Sequence, residues 1–187
     1  MGQECENVGQ TAKHFRGKMS VSIRAVIITV SDAAARGERE DKSGEALVQL
    51  LTEAGAEIIG RKIVADDLDP LSETLREFSD NSDVNLIVTT GGTGLGPRDN
   101  TPEATLRVVE REAPGLAEAM RIQTLKHTPM AMISRGVCGV RSGTLIVNLP
   151  GSPKGVQESF AVIKPVLGHA VALLAGQTRH DGDANVH

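Results

Sequence analysis

The sequence predicts a three-layer α/β/α domain with a mainly parallel sheet and one antiparallel strand from a late hairpin. Short, continuous apolar runs at 23–30 and 84–88 are typical of strands buried on both faces of a parallel sheet. A segment with helical apolar spacing follows each predicted strand of the first half, which indicates successive β–α units. Later in the chain, two strand-like runs flank Ser142-Gly143, a turn that is typical of a hairpin.

The first half of the chain alternates strands and helices. The predicted elements are a strand over 23–30, a helix over about 43–54, a strand over 57–64, a helix that begins in the turn 66–70, and a strand over 84–89. The first helix carries one apolar stripe, and Gly55 ends it. The second helix is expected to turn Leu71, Leu75 and Phe78 towards the core.

The second half predicts further helices on both sides of the hairpin. Thr101 is expected to be the N-cap, and Pro102 the first residue, of a helix that reaches about Arg111. Pro114-Gly115 is expected to break this helix before the next one begins. The later elements are predicted as a helix over 116–125, hairpin strands over 136–141 and 144–149, a helix through 156–163 and a separate helix over 166–175.

The 187 residues are enough for one domain with a sizeable core, which we place at 21–176. Residues 1–20 are polar and show no apolar period, so we expect a disordered leader, and 177–187 are expected to form a polar tail. The leader lacks the apolar core of a signal peptide, and no apolar run is long enough to span a membrane. We therefore expect no membrane partner.

The composition argues against a nucleic-acid partner. The 24 acidic and 20 basic side chains leave a net charge of −4, and aromatic residues make up only 2% of the chain. Nucleic-acid-binding domains are usually basic and often stack bases on aromatic side chains. The two cysteines, Cys5 and Cys138, indicate neither a disulfide framework nor a zinc site, which is consistent with a cytoplasmic protein.

A glycine-rich loop follows the third predicted strand, with the sequence TTGGTGLGPRDNTPEAT over 89–105. In open α/β sheets, ligands bind at such strand-to-helix loops. Glycine lets backbone N–H groups approach a phosphate closely, and the helix N-terminus adds positive potential. Arg98 can neutralise an anion and Asp99 can hold a metal ion, so the loop predicts a site for a phosphorylated ligand with Mg²⁺.

This loop fits neither of the common phosphate-binding patterns. Its glycines do not match G-x-G-x-x-G, and no Gly-Lys-Ser/Thr triplet follows them. A long, tight turn that needs glycine for its backbone angles is the alternative explanation. The added Arg98-Asp99 and Thr101-Pro102 pairs favour a functional site, because a plain turn does not need them.

Three other loops are expected to open at the same edge of the sheet. Ser31-Asp32 follows the first strand, Asp66-Asp67 the second, and 150–155 the last. Lys154, with Ser152 and two glycines, makes a second candidate anion site, although a helix-capping turn explains this spacing equally well. Asp66 and Asp67 are also good candidates for capping the helix that follows them.

Six motifs together resemble the MogA/MoaB family of molybdenum-cofactor biosynthesis. They are TVSD at 29–32, DKSG at 41–44, TTGGTGLGPRDNTPEAT at 89–105, PGLAEAMR at 114–121, ISRGVCG at 133–139 and LPGSPKG at 149–155. Their order and spacing match the family over about residues 21–176, and the combination of GGTG with RDNTPEA is highly specific. The leader and the tail lie outside the resemblance.

The resemblance implies an α/β domain that binds molybdopterin and assembles as a homo-oligomer, usually a trimer, with hexamers in the MoaB branch. The implied activity is molybdopterin adenylyltransferase, which transfers AMP from Mg-ATP to the terminal phosphate of molybdopterin and releases pyrophosphate. Mg²⁺ is then the implied metal, ATP and molybdopterin are the substrates, and the molybdenum-insertion enzyme is the downstream partner.

The family's functional positions fall on particular residues of this chain. Its two aspartates associated with magnesium and catalysis fall on Asp66 and Asp99. The segment 65–67 reads Ala-Asp-Asp where the family more often has Pro-Asp-Glu, so Asp66 and Asp67 remain alternatives. The substrate- and nucleotide-binding positions, from the loops and the resemblance together, are Ser31, Asp32, Gly91, Gly92, Thr93, Gly94, Arg98, Thr101, Ser134, Arg135, Pro150, Gly151, Ser152 and Lys154. Ser134 and Arg135 fall near the family's pterin site.

The implied chemistry agrees with the residues present. A phosphate monoester is largely ionised at neutral pH, since its second pKa is about 6, and it needs no strong general base to act as a nucleophile. The site must instead neutralise charge and align the phosphates, which carboxylates with magnesium, backbone donors, an arginine and a lysine can do. A non-catalytic molybdopterin-binding or carrier paralogue, as in some MoaB-type proteins, is the alternative function.

Overall fold

The structure, a computed structural model, describes residues 21–177. The leader predicted for 1–20 and nearly all of the tail predicted for 177–187 lie outside the described residues. The described part contains one six-stranded sheet with the strand order β2-β1-β3-β6-β5-β4. Its strands are β1 (Arg24–Val30), β2 (Glu57–Val64), β3 (Leu86–Thr90), β4 (Arg111–Glu112), β5 (Cys138–Arg141) and β6 (Thr144–Leu149).

Four of these strands, β2, β1, β3 and β6, are parallel, and β5 pairs antiparallel with β6 through the predicted hairpin. Ser142 and Gly143 at the hairpin turn have φ values of 49° and 82°, as expected for the two central residues of a type I′ turn. The short strand β4 pairs antiparallel with β5, so it runs in the same direction as β6. The mainly parallel sheet with one reversed strand is therefore confirmed, with β4 as an unpredicted addition.

Helices cover both faces of the sheet, which confirms the three layers. The helices are α1 (Asp32–Ala35), α2 (Lys42–Glu53), α3 (Leu68–Ser79), α4 (Thr101–Leu106), α5 (Pro114–Thr124) and α6 (Pro153–Leu174). Apolar residues of α2, α5 and α6 form one core against the sheet, and those of α3 and α4 form a second core on the other face. Strands β3 and β6 are buried along their whole length, because each lies between two strands and between the two helix layers.

The segment 101–113 differs from its prediction. Thr101 is the first residue of α4 and not its N-cap: its Oγ1 is turned inward and donates a 2.8 Å hydrogen bond to the Gly91 carbonyl, while Asn100 takes the cap position. The helix ends at Leu106 and not near Arg111. The backbone N–H groups of Glu110 and Ala113 instead pair with β5, so the sheet captures the chain that the sequence pattern assigns to a helix.

Two helix boundaries near prolines differ from the prediction. Pro114-Gly115 does not separate two helices but begins α5, where the fixed φ of proline at the first helical position suits a helix start. Residues 153–174 form one continuous helix, α6, although Pro165 lies inside it. Ile163 and Leu167, on either side of this proline, are both buried in the first core, and this packing offsets the lost backbone hydrogen bond. No helix within residues 21–177 is long and apolar enough to cross a membrane.

Candidate active site

The carboxyl ends of the four parallel strands lie at one edge of the sheet, as predicted. The loops that leave them are joined directly: the Ser31 N–H donates to the Val64 carbonyl at 2.9 Å, and the Gly91 N–H donates to the Leu149 carbonyl at 3.2 Å. Thr90 Oγ1 also donates to the Pro150 carbonyl at 2.7 Å. The candidate residues of four separate loops are thereby brought together at a rigid edge.

Two consecutive residues of the glycine loop have to be glycine. Gly91 has a φ of +102°, and a Cβ there would lie 2.2 Å from the Val30 carbonyl oxygen. Gly92 has a φ of +61°, and a Cβ there would lie 2.4 Å from Thr101 Oγ1 and 2.9 Å from Asp66 Oδ1. Backbone conformation explains these two glycines, and their lack of side chains also keeps Asp66 next to the loop backbone.

A first cavity of about 410 Å³ opens on the α5 side of the glycine loop. Its lining includes the loop residues 92–94, the 3₁₀ turn Pro129–Ile133 with Ser134, and apolar or hydroxyl side chains of α5. Its three charged lining residues are Asp99, Arg121 and Glu158, and Arg121 is engaged with the Gly136 carbonyl at 2.8 Å. The first cavity suits a mostly neutral ligand with hydrogen-bonding groups.

A second cavity of about 750 Å³ lies on the opposite side of the glycine loop, between the ends of β1 and β3 and the start of α2. Seven charged residues line it: Glu38, Arg39, Glu40, Asp41, Lys42, Asp66 and Asp99. Ser31, Thr90, Gly91 and Pro153 belong to its wall as well. The second cavity therefore suits a charged ligand that carries its own cation.

The two cavities meet at four residues, Gly92, Asp99, Gly151 and Ser152, which line both. A Cβ on Gly151 would lie 3.1 Å from the Gly91 Cα, so the two loops are in close contact here. Ser152 is the N-cap of α6, and its Oγ accepts a hydrogen bond from the Gly155 N–H at 3.1 Å. We call these four residues the junction.

Asp66 and Asp32 hold each other through their backbones. Asp32 N–H donates to Asp66 Oδ2 at 2.9 Å, and Asp66 N–H donates to Asp32 Oδ1 at 3.1 Å. Arg98 then clamps Asp32 with two hydrogen bonds of 3.0 and 2.8 Å and also pairs with Asp67 at 3.0 Å. Asp67 and Arg98 line neither cavity, whereas Asp66 lines the second, so the geometry favours Asp66 over Asp67 as the functional acid.

The pKa values of Asp32 and Asp66 are shifted in opposite directions. The hydrogen bond from Arg98, together with the one from the Asp66 backbone, lowers the pKa of the Asp32 carboxyl. Burial raises the pKa of Asp66, and the negative charges of Asp32 and Asp99 raise it further. The Asp32 N–H and Arg98 offset these effects only in part. Asp66 and Asp99 both line the second cavity, so a cation bound near them would relieve their repulsion.

This pair fits the magnesium that the family implies. Mg²⁺ in nucleotide sites is usually held by one or two carboxylates, with substrate phosphates and waters completing its coordination. Residues 21–177 contain no cluster of three or more histidine, cysteine or acidic side chains that could hold a metal ion without such help. The arrangement suits a metal that arrives with a phosphorylated substrate, not one that the protein binds alone.

Arg135 stiffens the glycine loop and lines neither the first nor the second cavity. Its guanidinium donates to the carbonyl oxygens of Gly94 at 2.7 Å and Asp99 at 2.6 Å, and it forms an ion pair with Glu103. Its backbone N–H also donates to the Thr93 carbonyl at 2.8 Å. Arg135 therefore fixes the position of Asp99.

The remaining predicted residues divide into those that line a cavity and those that do not. Ser31 lines the second cavity, and Gly91 does too; Thr93, Gly94, Ser134 and Pro150 line the first. Thr101 is fully buried and supports the Gly91 carbonyl, so it contributes only through the loop. Lys154 lines neither cavity, and its ammonium lies 3.8 Å from Glu158 on the same helix with 78% of the side chain exposed.

Sequence reasoning missed much of both cavity walls. The segment 38–43 forms one wall of the second cavity, but its acidic and basic residues have the pattern of a polar loop and an ordinary helix start. In the first cavity, Met120, Thr124 and Met130 have the pattern of a helix core or a turn. The only signal for them was their place in or near the family motifs, since no chemistry marks these residue types.

A family model described as a probable molybdopterin binding domain matches residues 26–169. This chain belongs to that family. The matched segment contains both cavities, the glycine loop and the junction.

Relatives within the family include proteins with named activities. The molybdopterin adenylyltransferase of Helicobacter pylori (strain J99) is 37% identical over 167 residues, which cover 88% of this chain and 95% of that protein. The molybdenum cofactor synthesis protein cinnamon of Drosophila melanogaster is 43% identical over 155 residues, or 82% of this chain, and this chain spans only 26% of its length. The crystal structure of the molybdopterin biosynthesis enzyme MoaB from Thermus thermophilus is 49% identical, with a TM-score of 0.78, and covers 82% of this chain and 97% of its own.

Proposed function

We propose that this protein is a molybdopterin adenylyltransferase, which transfers AMP from Mg-ATP to the terminal phosphate of molybdopterin and releases pyrophosphate. Its family and the names of its full-length relatives support this assignment. The junction of the two cavities is the observation that carries the proposal. A transfer between two substrates needs two binding sites that touch at the reacting atoms, whereas a carrier needs only one.

Each cavity suits one substrate. The first cavity, with few charges and with Ser134 on its wall, takes the pterin and presents the terminal phosphate at the junction. The second cavity, with its acidic wall and Asp66, takes Mg-ATP. Asp99, Gly92 and the Gly151-Ser152 pair are then shared by the reacting phosphates.

The residues at the junction supply charge compensation and alignment. Asp66 and Asp99 would hold Mg²⁺, which offsets the negative charge of the phosphates when it is bound. Gly91, Gly92 and Gly151 let the two loops pack closely against each other and against Val30 and Thr101, because a Cβ on any of them would crowd these protein atoms. This packing fixes the loop backbone that would contact the phosphates. Arg98 and Arg135 hold the carboxylate-bearing loops in place through Asp32 and the Asp99 carbonyl.

The attacking group needs no deprotonation by the protein. The terminal phosphate of molybdopterin is largely dianionic at neutral pH, because the second pKa of a phosphate monoester is about 6. Catalysis is then mostly positioning and electrostatic stabilisation, which rigid loops and a metal ion provide. Two arginine-supported loops at one sheet edge agree with that requirement.

The test is direct product formation. The purified protein is incubated with molybdopterin, ATP and Mg²⁺, and the adenylylated pterin and pyrophosphate are measured. Formation of both in equal amounts, dependent on Mg²⁺, is the expected result. Tight molybdopterin binding without either product would instead support the carrier function, which the similarity to MoaB keeps as the second candidate.

The protein is further proposed to assemble from identical subunits. We expect a homotrimer, with a hexamer as the larger alternative, because large apolar side chains cluster on the surface near α5. Ile122, Met130 and Met132 are 60–67% exposed, and Leu125 and Ile133 are 40–45% exposed. Such a patch is usually covered by a partner. Sedimentation at micromolar concentration tests this, and a monomer there would exclude it.

The adenylylated product indicates the downstream partner, and the buried thiol of Cys138 bears on the cellular location. An adenylylated molybdopterin would pass to the molybdenum-insertion enzyme, which is the expected downstream partner. Cys138 is a free, buried thiol whose pKa burial raises to about 12, so it stays inert in a reducing cytoplasm, where we place the protein. Co-sedimentation with the insertion enzyme in the presence of product tests the first expectation, and cell fractionation tests the second.

A further inference from the structure

The second cavity contains few cations for the charge it is proposed to hold. Its charged lining comprises five acids and two bases, and the bases are Arg39 and Lys42. Mg²⁺ offsets only part of the roughly four negative charges that ATP carries, as its terminal phosphate has a second ionisation near neutral pH. The departing pyrophosphate must therefore meet further positive charge.

The other basic residues near the site either are engaged in other contacts or line neither cavity. Arg98 is held by Asp32 and Asp67, and Arg135 by Glu103 and two loop carbonyls. Lys154 lines neither cavity. Neither arginine can turn towards the second cavity without breaking the contacts that fix the loops.

Arg39 and Lys42 are differently placed. Within residues 21–177, Arg39 makes no side-chain hydrogen bond and no ion pair. Lys42 has only Glu40 nearby, at 3.8 Å, and 72% of its side chain is exposed. Both residues therefore have charged groups available to a ligand.

Asp41, which lies between them in the chain, cannot compete for these cations. Its carboxylate is 5% exposed and accepts hydrogen bonds from Arg61 at 2.7 Å, from Thr29 Oγ1 at 2.8 Å and from the Gly44 N–H at 2.8 Å. These bonds fill both oxygens and anchor the segment to β1, β2 and α2. The anchor fixes the backbone between Arg39 and Lys42 against the cavity wall.

The direction in which pyrophosphate leaves decides which part of ATP contacts the cavity wall that carries Arg39 and Lys42. A molybdopterin phosphate oxygen from the first cavity attacks the α-phosphorus at the junction and forms a new P–O bond. The bond from the α-phosphorus to the α,β-bridging oxygen breaks, its electron pair stays on that oxygen, and pyrophosphate leaves with Mg²⁺. In-line displacement sends this leaving group away from the nucleophile, and so from the first cavity into the second.

We propose that Arg39 and Lys42 form a pyrophosphate subsite, which binds the β- and γ-phosphates of ATP and stabilises the leaving group. This inference rests on the proposed function, and it adds a role for two residues that neither the glycine loop nor the junction includes. The subsite recognises a diphosphate by charge, while AMP, which lacks both of those phosphates, makes no contact with it.

The experiment measures three ligands, MgATP, Mg-pyrophosphate and AMP, by calorimetry on the wild type, Arg39→Gln, Lys42→Gln, the double variant and a matched control. Loss of a charge-assisted hydrogen bond should weaken MgATP and Mg-pyrophosphate about tenfold in each single variant, and more in the double one. Affinity for AMP should stay within about twofold of the wild type, as expected for removal of a remote contact. Arg36→Gln is the matched control, because Arg36 is in the same segment, pairs with Glu38 and lines neither cavity.

Two results with the variants would overturn the subsite. One is unchanged affinity of the double variant for MgATP and Mg-pyrophosphate, and the other is an equal loss for AMP, which would place the nucleoside at this wall. Failure of the proposed function has a different signature, since the wild type would then form no adenylylated product in the assay described above. Weak binding of Mg-pyrophosphate to the wild type itself also counts against the subsite.

Discussion

The two cavities share a junction but differ in almost everything else. The first has three charged residues in a lining of α5, the 3₁₀ turn and the glycine loop, and the second has seven charged residues at the ends of β1 and β3. Hydrophobic and hydroxyl side chains select a ring by shape and hydrogen bonds, whereas charges and a metal select phosphates. The difference shows that one glycine loop can border two cavities of opposite character, because its residues Gly92 and Asp99 line both.

The junction aspartate Asp99 and its neighbour Asp66 should give the largest effect on activity. Asp66→Asn and Asp99→Asn each remove a charge while keeping shape and hydrogen-bonding oxygen, so each should reduce adenylyl transfer by about a hundredfold or more, the scale of one lost electrostatic contact to the transition state. Molybdopterin affinity without ATP should survive, because Asp66 does not line the first cavity and asparagine keeps the shape of Asp99 in its wall. Steady-state rates and pterin titrations measure both.

Asp67→Asn is the control for that pair, since Asp67 is adjacent to Asp66, lines neither cavity and contacts Arg98 on the surface. Its turnover should be close to the wild type. Melting temperatures of all three variants should be nearly unchanged, because an asparagine Oδ1 can still accept the hydrogen bonds that the Asp32 and Gly96 N–H groups donate, and the Asp67–Arg98 pair is exposed. Near-normal turnover of both Asp66→Asn and Asp99→Asn would refute their catalytic role and favour the carrier function.

The glycine loop should be the most sensitive point for stability. Gly91→Ala forces a Cβ to within 2.2 Å of a backbone oxygen at a φ of +102°, and should cost more than about 3 kcal/mol in the free energy of unfolding. Gly37→Ala is the matched control: its φ is +73° but no atom lies within 4 Å of the new Cβ, so only about 1 kcal/mol is expected. Denaturant unfolding compares the two variants. An equal loss in the free energy of unfolding would show that the glycine loop shifts to accommodate the new Cβ.

A substitution confined to the first cavity should separate the two ligands. Ser134 lines this cavity, and its Oγ has only a long contact with the Gly136 N–H, at 3.5 Å, so its hydroxyl is available to a pterin. Ser134→Ala should weaken molybdopterin about three- to tenfold, the value of one neutral hydrogen bond, and leave MgATP binding unchanged. The exposed Ser82→Ala serves as control, and an effect of Ser134→Ala on ATP alone would reverse the assignment of the cavities.

The wall of the second cavity should show the smallest effect, and it depends on pH. Burial by itself would raise the pKa of Asp41, but hydrogen bonds from Arg61, Gly44 and Thr29 outweigh it and lower the pKa below its ordinary value. The stabilisation from this carboxylate is therefore present above the unfolded pKa of about 3.9 and is lost as the pH falls through the lower folded value.

Arg61→Gln removes the charged donor of that group. At neutral pH it should lower the melting temperature by about 2–4 °C, the shift that roughly 1 kcal/mol produces in a domain of this size. The difference from the wild type should shrink in acid, once Asp41 is protonated in both proteins. Arg107→Gln, which breaks the exposed pair with Asp69, is the control and should change little at any pH. A difference in melting temperature that does not change with pH would show that the charge of Asp41 is not the cause of this stabilisation.

The sequence by itself determined the fold class, the glycine loop and the edge at which the site lies. Short, continuous apolar runs match strands buried on both faces, and parallel strands must open their following loops at one edge, so local pattern and connectivity were sufficient. The resemblance added the family and the chemistry that it implies. It could not separate Asp66 from Asp67, because their local patterns are the same.

Tertiary structure alone decided the rest, because it depends on contacts between distant residues. The sheet captured 110–113 from a predicted helix, and core packing on both sides of Pro165 joined two predicted helices into α6. Thr101 turned from a cap into a support for Gly91, since its hydroxyl found a carbonyl ten residues away in the chain. The two cavities and their junction arise in the same way: their walls come from loops and helices separated by up to 120 residues, as from Glu38 to Glu158. No local sequence pattern predicts that these distant segments lie side by side, because only the folding of the sheet brings them together.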